Sequence, residues 1–251
     1  MDFVITPTYN ERNNIRILVN KLFSLYPSIH VLVVDDNSPD DTANVVKELQ
    51  NKYPNLYLKE RPGKLGLASA YLESIQDVLH DFPAVRTIIT MDADLSHDPA
   101  IVGAMIEGMK NYDLILGSRY VPEGGVKNWA LWRRILSRGG NLYARIVTAS
   151  AIHDLTTGFH CYSAKLLKRY DLDHINATGF AFLIEMKITA ERLGARIKEI
   201  PIIFPGRTDG QSKLSNHIIY EGLIVPWRFS PLLSFFRSQR HSWNHISTII
   251  I

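Results

Sequence analysis

Short apolar runs, separated by polar loops and longer amphipathic stretches, set the pattern of this chain. FVIT, HVLVV, NLYLKE, RTIITM and DLILGS read as strands. Between them Ile15, Leu18, Val19, Leu22 and Phe23 recur at helical spacing, and Val45, Val46 and Leu49 do the same. Further helices are predicted from Gly66 to Leu79 and from Pro99 to Lys110. Strands alternating with helices of this length imply an α/β fold with a mostly parallel sheet covered on both faces. Ligands of such sheets bind beyond the carboxyl ends of the strands. The polar loops PTYNE, DDNSPDD and DADLSHD leave strands one, two and four, so they are expected to converge on one crevice.

After Tyr120 the pattern changes. PEGGVKN is a Gly-rich loop, and WALWRRILSRGGNLYARIV predicts one or two amphipathic helices. HDLTTGFHCYSAK reads as a loop and short strand, AFLIEMKITAERLG as a helix and ARIKEIPIIF as another strand. PGRTDGQSKLS is a polar loop, and HIIYEGLIVPWRFSPLLSFF is amphipathic. A main domain over 1–216 and an amphipathic extension over 217–251 are therefore expected. Its last stretch, SQRHSWNHISTIII, reads as loosely ordered, and the spacing of His241 and His245 there is read as chance, not a metal site.

Composition narrows the classes. The 251 residues carry 28 Lys+Arg against 25 Asp+Glu, a net +3, which does not make a nucleic-acid binder. Cys161 is the single cysteine, so no intramolecular disulfide framework exists; it reads as a buried filler in a reducing compartment. The first strand begins at Asp2, leaving no place for the basic and apolar regions of a signal peptide. No uncharged apolar run reaches the roughly 18 residues of a membrane span; the nearest, Gly222 to Phe236, is broken by Arg228 and two prolines. The chain is therefore not expected to span a membrane by itself, which leaves open that it lies on one.

The chemistry centres on MDADLSHDP. Alternation sends Asp92 and Asp94 to the same side of a strand end, where paired carboxylates must be hydrated, ion-paired or metal-bound. Asp98 before Pro99 is a helix cap, and Ser38 before Pro39 reads as another, with Asp41 at the positive helix end. That account does not reach Asp92 and Asp94. Neither GxxxxGK[ST], GxGxxG nor GxSxG occurs, which removes the P-loop, the dinucleotide turn and the usual serine hydrolase. What remains is a carboxylate cluster opposite mobile-looking basic segments holding Arg119, Arg133, Arg134, Arg207 and Lys213. Oxygen-rich sites of this kind suit Mg²⁺ or Mn²⁺ bound together with phosphate oxygen. Displacement at a carbon bearing a nucleotide diphosphate is the chemistry indicated.

TPTYNERNN, VLVVDDNSPDDT, RPGKLGLASAY, MDADLSHDP, LILGSRYVPEGGVKNW, RRILSRGGN, TTGF and RTDGQSKLS follow one another from residue 4 to about 216. In this order they resemble glycosyltransferase family 2 and, within it, the dolichol-phosphate (polyprenol-phosphate) mannose synthases. The resemblance implies a Rossmann-like A-type glycosyltransferase fold with amphipathic interfacial helices. It also implies inverting transfer of mannose from GDP-mannose to a dolichyl or polyprenyl phosphate. UDP-glucose or another nucleotide sugar as donor, and a non-catalytic nucleotide-sugar-binding subunit, are the alternatives. By the same resemblance Pro7, Tyr9 and Glu11 hold base and ribose, while Val34 and Asp36 flank the base. Tyr9 and Glu11 also fit a turn with a first-turn acid, and Asp36 or Asp35 an exposed strand end. Asp92, Ala93 and Asp94 meet the sugar diphosphate, with Asp94 the principal ligand of Mg²⁺ or Mn²⁺ and Asp92 beside it. Ser96 stands where many relatives have a metal-coordinating Gln, so a water there would complete the shell. Arg119, Arg207 and Lys213 bind donor and acceptor phosphates, and Arg133 reaches the lipid phosphate. Asp94, Arg119 and Arg133 are thus the expected catalytic set, and the loop holding Arg207 and Lys213 the expected lid.

A lipid acceptor requires contact with a membrane surface. Trp129, Leu131, Trp132, Ile135, Leu136, Tyr143 and Ile146, with Arg133, Arg134, Arg138 and Arg145 among them, have the composition of an interfacial helix, and equally of a helix covering its own domain. Trp227 and Phe235-Phe236 are a second expected contact. The relatives' habits place such a chain peripherally on a cytoplasmic membrane face, with a membrane-anchoring partner subunit as one means of attachment.

Overall fold

A computed structural model describes residues 1–175, 179, 181–205 and 223–231. The first half runs β1 (Asp2–Thr8), α1 (Arg12–Leu25), β2 (His30–Asp35), α2 (Thr42–Gln50), β3 (Leu56–Glu60), α3 (Leu67–Asp81) and β4 (Thr87–Thr90). Then come α4 (Val102–Gly108), β5 (Leu114–Ser118), β6 (Gly125–Val126), α5 (Leu131–Thr148), β7 (His160–Ser163), α6 (Ala164–Leu167), α7 (Ala181–Arg192), β8 (Ile197–Pro201) and β9 (Ile203–Phe204). Among the described residues a seven-stranded sheet has the order β3-β2-β1-β4-β7-β5-β8, and β6 pairs with β9 apart from it.

Alternation along single strands supplies two cores. Phe3 and Ile5 of β1 face a layer formed by α3, α5 and α7, while Val4 between them faces α1, α2 and α4. The apolar stripe of α1 buries Ile15, Leu18, Val19, Leu22 and Phe23, as its spacing predicts. Cys161 is buried in β7, and its apolar surroundings push the thiol up. The α/β fold with a mostly parallel sheet is present.

Local details differ from expectation. The helix after DDNSPDD begins at Thr42, and Ser38 does not cap it. Instead Ser38 Oγ donates to Asp35 Oδ1 at 2.6 Å and accepts from the Asn10 N–H, tying two loops together. Asp40 accepts from the Thr42 hydroxyl and from the Thr42 and Arg12 N–H groups; against the cost of burial, these bonds, the hydroxyl's foremost, hold its carboxyl below the ordinary range. Asp98 does cap: its carboxylate accepts from the Ala100 N–H at 3.1 Å, but the turn at Pro99–Ile101 is 3₁₀ before α4 begins. The segment after Trp129 is one continuous helix, α5. ARIKEIPIIF divides into β8 and β9, because Ile202 turns inward and its N–H donates to Ser118 O.

The largest surprise is β7. It enters antiparallel between β4 and β5, so these two strands, each antiparallel to β7, run the same way. The amino end of β7 consequently lies at the same sheet edge as the carboxyl ends of β1, β2, β4 and β5. No helix among the described residues is long and apolar enough to cross a membrane. The expected boundary at 216/217, the His241–His245 spacing and Phe235-Phe236 lie outside the described residues.

Candidate active site

Register fixes the order of groups along this edge. Thr8 pairs with Asp35 and Ile5 with Thr90, so Asp36 and the acid pair Asp92/Asp94 leave neighbouring regions of one rim. With strands about 4.8 Å apart, two strand spacings put Asp36 roughly 10 Å to one side of the acid loop. Arg119, just past β5, stands two spacings to the other side. TTGF, leading into β7, fills the interval between acids and arginine.

At the β2 end neither acid is an exposed strand end. Asp35 is buried and accepts from Thr8 Oγ1 at 2.9 Å and from the Ser38 N–H and hydroxyl. Asp36 is buried as well: its Oδ1 accepts from Arg61 Nη1 at 2.7 Å, and its Oδ2 from the Gly66 N–H at 3.4 Å. Arg61 also donates to Ser69 Oγ and Glu73 Oε1. Val34 is wholly buried one strand position inside, its carbonyl accepting from Thr8 Oγ1. Pro7 is the half-buried penultimate residue of β1, and Tyr9 just beyond the strand lies under Lys64, whose Nζ is 4.2 Å from the ring centroid. Glu11 precedes α1 as its cap residue, with no acid in the first turn, and its Oε2 accepts from Asn14.

The acid loop is held from below. Asp94 Oδ1 accepts from the Ser96 N–H at 3.1 Å, and the Asp92 N–H donates to His97 Nδ1 at 3.0 Å. That bond leaves the ring proton on Nε2, 3.9 Å from Asp92 Oδ2. His97 is buried and stacked on Phe159 at 4.8 Å. Burial keeps it neutral against the pull of Asp92 and Asp94. Leu95 takes the left-handed backbone, φ 60°, a conformation costing about 1–2 kcal/mol that the flanking bonds enforce. Gly158 of TTGF lies so close that a Cβ there would stand 3.7 Å from Asp92 Oδ1, and its carbonyl accepts from Thr90 Oγ1. Ala93 is buried between the acids.

Among the described residues no three His, Cys, Asp or Glu gather at ligand spacing. Two carboxylates with diphosphate oxygens and water match how Mg²⁺ and Mn²⁺ are usually held. Ser96 Oγ, buried beside Asp94, has no hydrogen-bond partner among the described residues and is the orphan polar atom of this loop. The donor set therefore fits such an ion, which Asp92 and Asp94 would hold.

At the β5 end Arg119 is not on a mobile segment. Nε and Nη2 clamp Asp154 Oδ2 and Oδ1, both at 2.7 Å, and Nη2 also donates to Thr156 Oγ1. Burial works to raise the Asp154 carboxyl, but the adjoining guanidinium wins and holds it low; Asp154 in turn raises Arg119. Among the described residues Nη1 takes no hydrogen-bond partner, and the guanidinium is framed by Tyr120, Trp129 and Phe204 at 5.2, 5.9 and 5.6 Å. Arg133, from the first turn of α5, lies 4.1 Å over the other occupant of that frame, the Trp129 ring. Trp129 is thus half-buried between two arginines, apart from the outward apolar side of α5. Beneath everything Lys187, fully buried, donates to Leu155 O and Thr157 O at 2.8 Å.

The structure brings Asp36, Asp92, Asp94, Arg119 and Arg133 to one edge; Arg207 and Lys213 lie outside the described residues. Arg61, His97, Asp154 and Lys187 escaped the sequence reading. For Arg61 and His97 the signal was their position inside motifs already singled out, RPGKLG and DADLSH.

The sequence profile of glycosyl transferase family 2 matches residues 3–171. A polyprenol monophosphomannose synthase of Mycolicibacterium smegmatis is 37% identical over 228 residues, 89% of this chain and 85% of that protein. An undecaprenyl-phosphate mannosyltransferase of Micrococcus luteus is 36% identical over 220 residues, 88% and 90% of the two chains. Among solved structures, glucosyl-3-phosphoglycerate synthase of Mycobacterium tuberculosis, in complex with Mn²⁺, UDP and phosphoglyceric acid, superposes with a TM-score of 0.64 at 16% identity, covering 90% of this chain and 75% of that one. A mannosyltransferase of Pyrobaculum calidifontis, in complex with GDP-Man and Mn²⁺, gives 0.56 at 18% identity, covering 84% and 58%. These two share the fold. With the profile spanning most of the chain and two relatives matched nearly end to end, the chain belongs to glycosyltransferase family 2.

Proposed function

We propose that this chain transfers mannose from GDP-mannose to a polyprenyl or dolichyl phosphate at a membrane surface, inverting the anomeric centre to give a β-linked mannosyl phosphate and GDP. The observation that carries the reading is the order along one sheet edge. A carboxylate at β2 suits the N–H edge of a base, the acid pair at β4 a diphosphate, and Arg119 with Arg133 at β5 a second phosphate. The spacing of about 10 Å between stations matches a nucleoside diphosphate laid across the strands. The two relatives matched nearly end to end, named for mannose transfer to polyprenol or undecaprenyl phosphate, support donor and acceptor class alike.

A phosphate acceptor needs no general base. A phosphate monoester is largely ionised at neutral pH, its second pKa being about 6. One of its oxygens attacks the anomeric carbon as the bond from that carbon to the GDP oxygen breaks, and GDP leaves with the electron pair; no proton moves. The residues' task is to hold two anions in line, Arg119 and Arg133 at the acceptor and Asp36 with Tyr9, Glu11 and Pro7 at the nucleoside. A divalent cation, Mg²⁺ or Mn²⁺, held by Asp92 and Asp94 would offset the charge developing on the departing diphosphate. Arg207 and Lys213, of the sequence motif RTDGQSKLS, would join the phosphate set.

The apolar side of α5 supplies the membrane contact. Leu131, Trp132, Ile135, Leu136, Leu142 and Ile146 are all exposed. Trp227, with Leu223 and Ile224, adjoins them: Trp227 Nε1 donates to Tyr143 Oη, which donates to Leu223 O. A helix of this composition lies in the plane of an interface. We place it on the cytoplasmic face, with or without an anchoring partner subunit.

Incubation of the purified chain with labelled GDP-mannose or UDP-glucose, a polyprenyl phosphate and Mg²⁺ or Mn²⁺ tests the reading. Mannosyl phosphoryl lipid from GDP-mannose is expected. Product from UDP-glucose alone would remove the mannose assignment, and none from any donor would leave a binding subunit.

A further inference from the structure

From Gly124 to His153 the chain has no Asp or Glu, yet it holds Lys127, Arg133, Arg134, Arg138 and Arg145. On α5, at 100° per residue, exposed Leu131, Ile135, Leu142, Ile146, Trp132 and Leu136 cover one arc, and buried Asn141, Ala144 and Thr148 the opposite one. The arginines occupy the two borders between these arcs. Arg133 takes one border, facing Trp129 and the active site. Arg134, Arg138 and Arg145 take the other, four and seven residues apart, and so form a stripe.

Below that stripe is a groove of about 270 Å³ lined by Tyr120, Arg138, Asn141, Leu142, Arg145 and His153. Its polar groups divide sharply. Asn141 is used up within the fold, donating to Ser137 O and Thr156 Oγ1 and accepting from the Leu155 N–H. His153 Nδ1 meets Glu199 at 2.8 Å, and that carboxylate is further taken by the N–H groups of His153 and Asp154. Arg138 and Arg145 have no carboxylate or carbonyl partner among the described residues, and Arg145 Nε is shut off from solvent without an acceptor. A buried guanidinium N–H left without an acceptor, as at Arg145 Nε, is costly, and Arg145 with the exposed Arg138, about 10.5 Å apart along the axis, can close on one phosphate. Next to Arg138, Gly139 and Gly140 leave the helix surface bare; a Cβ on either would meet nothing.

We infer that this groove is a second phosphate site, separate from the acceptor site across the helix, and that its occupant is the headgroup phosphate of an anionic phospholipid. Leu142, which lines the groove, continues into the exposed apolar arc, so a phosphate held there has its acyl chains beside Ile146 and Leu131. The site fixes the roll of α5 about its axis, and with it the side on which Arg133 meets an incoming lipid phosphate. The inference rests on the proposed docking of α5 at a membrane, not on the identity of the donor or acceptor.

The test uses the full chain and its R138Q/R145Q variant. Binding is measured to phosphatidylcholine vesicles with and without phosphatidylglycerol, and transfer is assayed with a short-chain polyprenyl phosphate in detergent. At about fivefold per arginine near a charged surface, the variant should bind phosphatidylglycerol vesicles roughly thirtyfold more weakly. Binding to pure phosphatidylcholine and turnover in detergent should be unchanged, the latter certifying the fold. R138K/R145K should recover most of the vesicle binding. Unchanged affinity for phosphatidylglycerol overturns the site. Loss of turnover in detergent, with KM for the acceptor raised, makes the groove part of the acceptor site. Displacement of the wild type from vesicles by inorganic phosphate at equal phosphate concentration makes free phosphate the ligand. Failure of both proteins to bind any vesicle, with turnover intact, refutes the membrane contact without touching the transferase reading.

Discussion

Asp36 and Arg61 form a buried ion pair 2.7 Å across, the arginine side chain only 1% exposed and the carboxylate 9%. Twenty-five residues apart, they lock the end of β2 to the start of α3, because Arg61 also bonds Ser69 at the first turn of that helix. A carboxylate proposed to receive N–H groups of a base must not swing. Arg61 holds it from behind, which makes it a positioning residue in the proposed nucleoside site.

Removing that support has a measurable cost. Arg61→Met leaves a buried carboxylate uncompensated, and unfolding in denaturant should show a loss of about 3–5 kcal/mol. Affinity for GDP-mannose should fall with it. Arg61→Met in an Asp36→Asn background should regain much of the stability but not the affinity. Equal losses in both backgrounds would mean that the pair does not act as a unit.

Asp94 allows a cleaner separation of fold from chemistry. It is half-buried on the acid loop, where its Oδ1 accepts from the backbone N–H of Ser96 and not from a distant strand or helix pairing that sets the sheet order. Asp94→Ala should therefore keep its melting temperature within a few degrees while transfer falls by at least about 10²-fold, the usual loss when one electrostatic stabiliser of a transition state is deleted. Titration with Mn²⁺ and GDP should show weakened metal-dependent nucleotide binding. Retained turnover would sink the role.

How much of this was legible without coordinates follows from chain distance. The strand-end loops could be read because apolar runs locate strands, and the α/β rule then gathers their carboxyl ends. Asp92 and Asp94 needed nothing more. Arg61, Asp154 and Lys187 were silent because a buried charge is intelligible only beside its partner, and those partners lie 25 to 35 residues away. β7 was legible as a short strand but not as an antiparallel insertion, since HCYS carries no turn signal that fixes direction. Trp129 read as part of a membrane face by composition alone; its capture between Arg119 and Arg133 depends on Phe204, 75 residues on.

Arg133 tests the proposed division between donor and acceptor binding. Its guanidinium stacks over Trp129, the same ring that borders Arg119, and both lie far along the edge from Asp36. Arg133→Ala should raise KM for the lipid phosphate by about tenfold or more, the worth of one charge-assisted bond, and leave KM for GDP-mannose within about twofold. Trp129→Leu, which removes the ring but not the charge, should raise the same KM by a smaller factor. A larger effect on the donor than on the acceptor would reverse the assignment.

Lys187 provides the pH dependence. It donates to Leu155 O and Thr157 O, the two ends of the segment that places Asp154 against Arg119 and Gly158 against Asp92. Burial is the main cause of its shift; Asp154 opposes burial and Arg119 reinforces it, and the ammonium is pushed down to about 7. The unfolded chain keeps this proton up to the ordinary lysine value of about 10.4. Between those two values the unfolded state binds more protons than the folded one, so this group makes stability rise with pH across the window. Below about 7 the cost of the buried charge is present in full, and above the ordinary value it vanishes. Lys187→Met removes the titration together with three hydrogen bonds, to Leu155 O, Thr157 O and Leu183 O. Denaturation of both proteins from about pH 6 to pH 10 should thus show the variant losing ground to the wild type as pH rises. A difference that stays flat over that range would mean that Lys187 holds one protonation state throughout, and that the loop between Arg119 and Asp92 is clamped by a permanent charge.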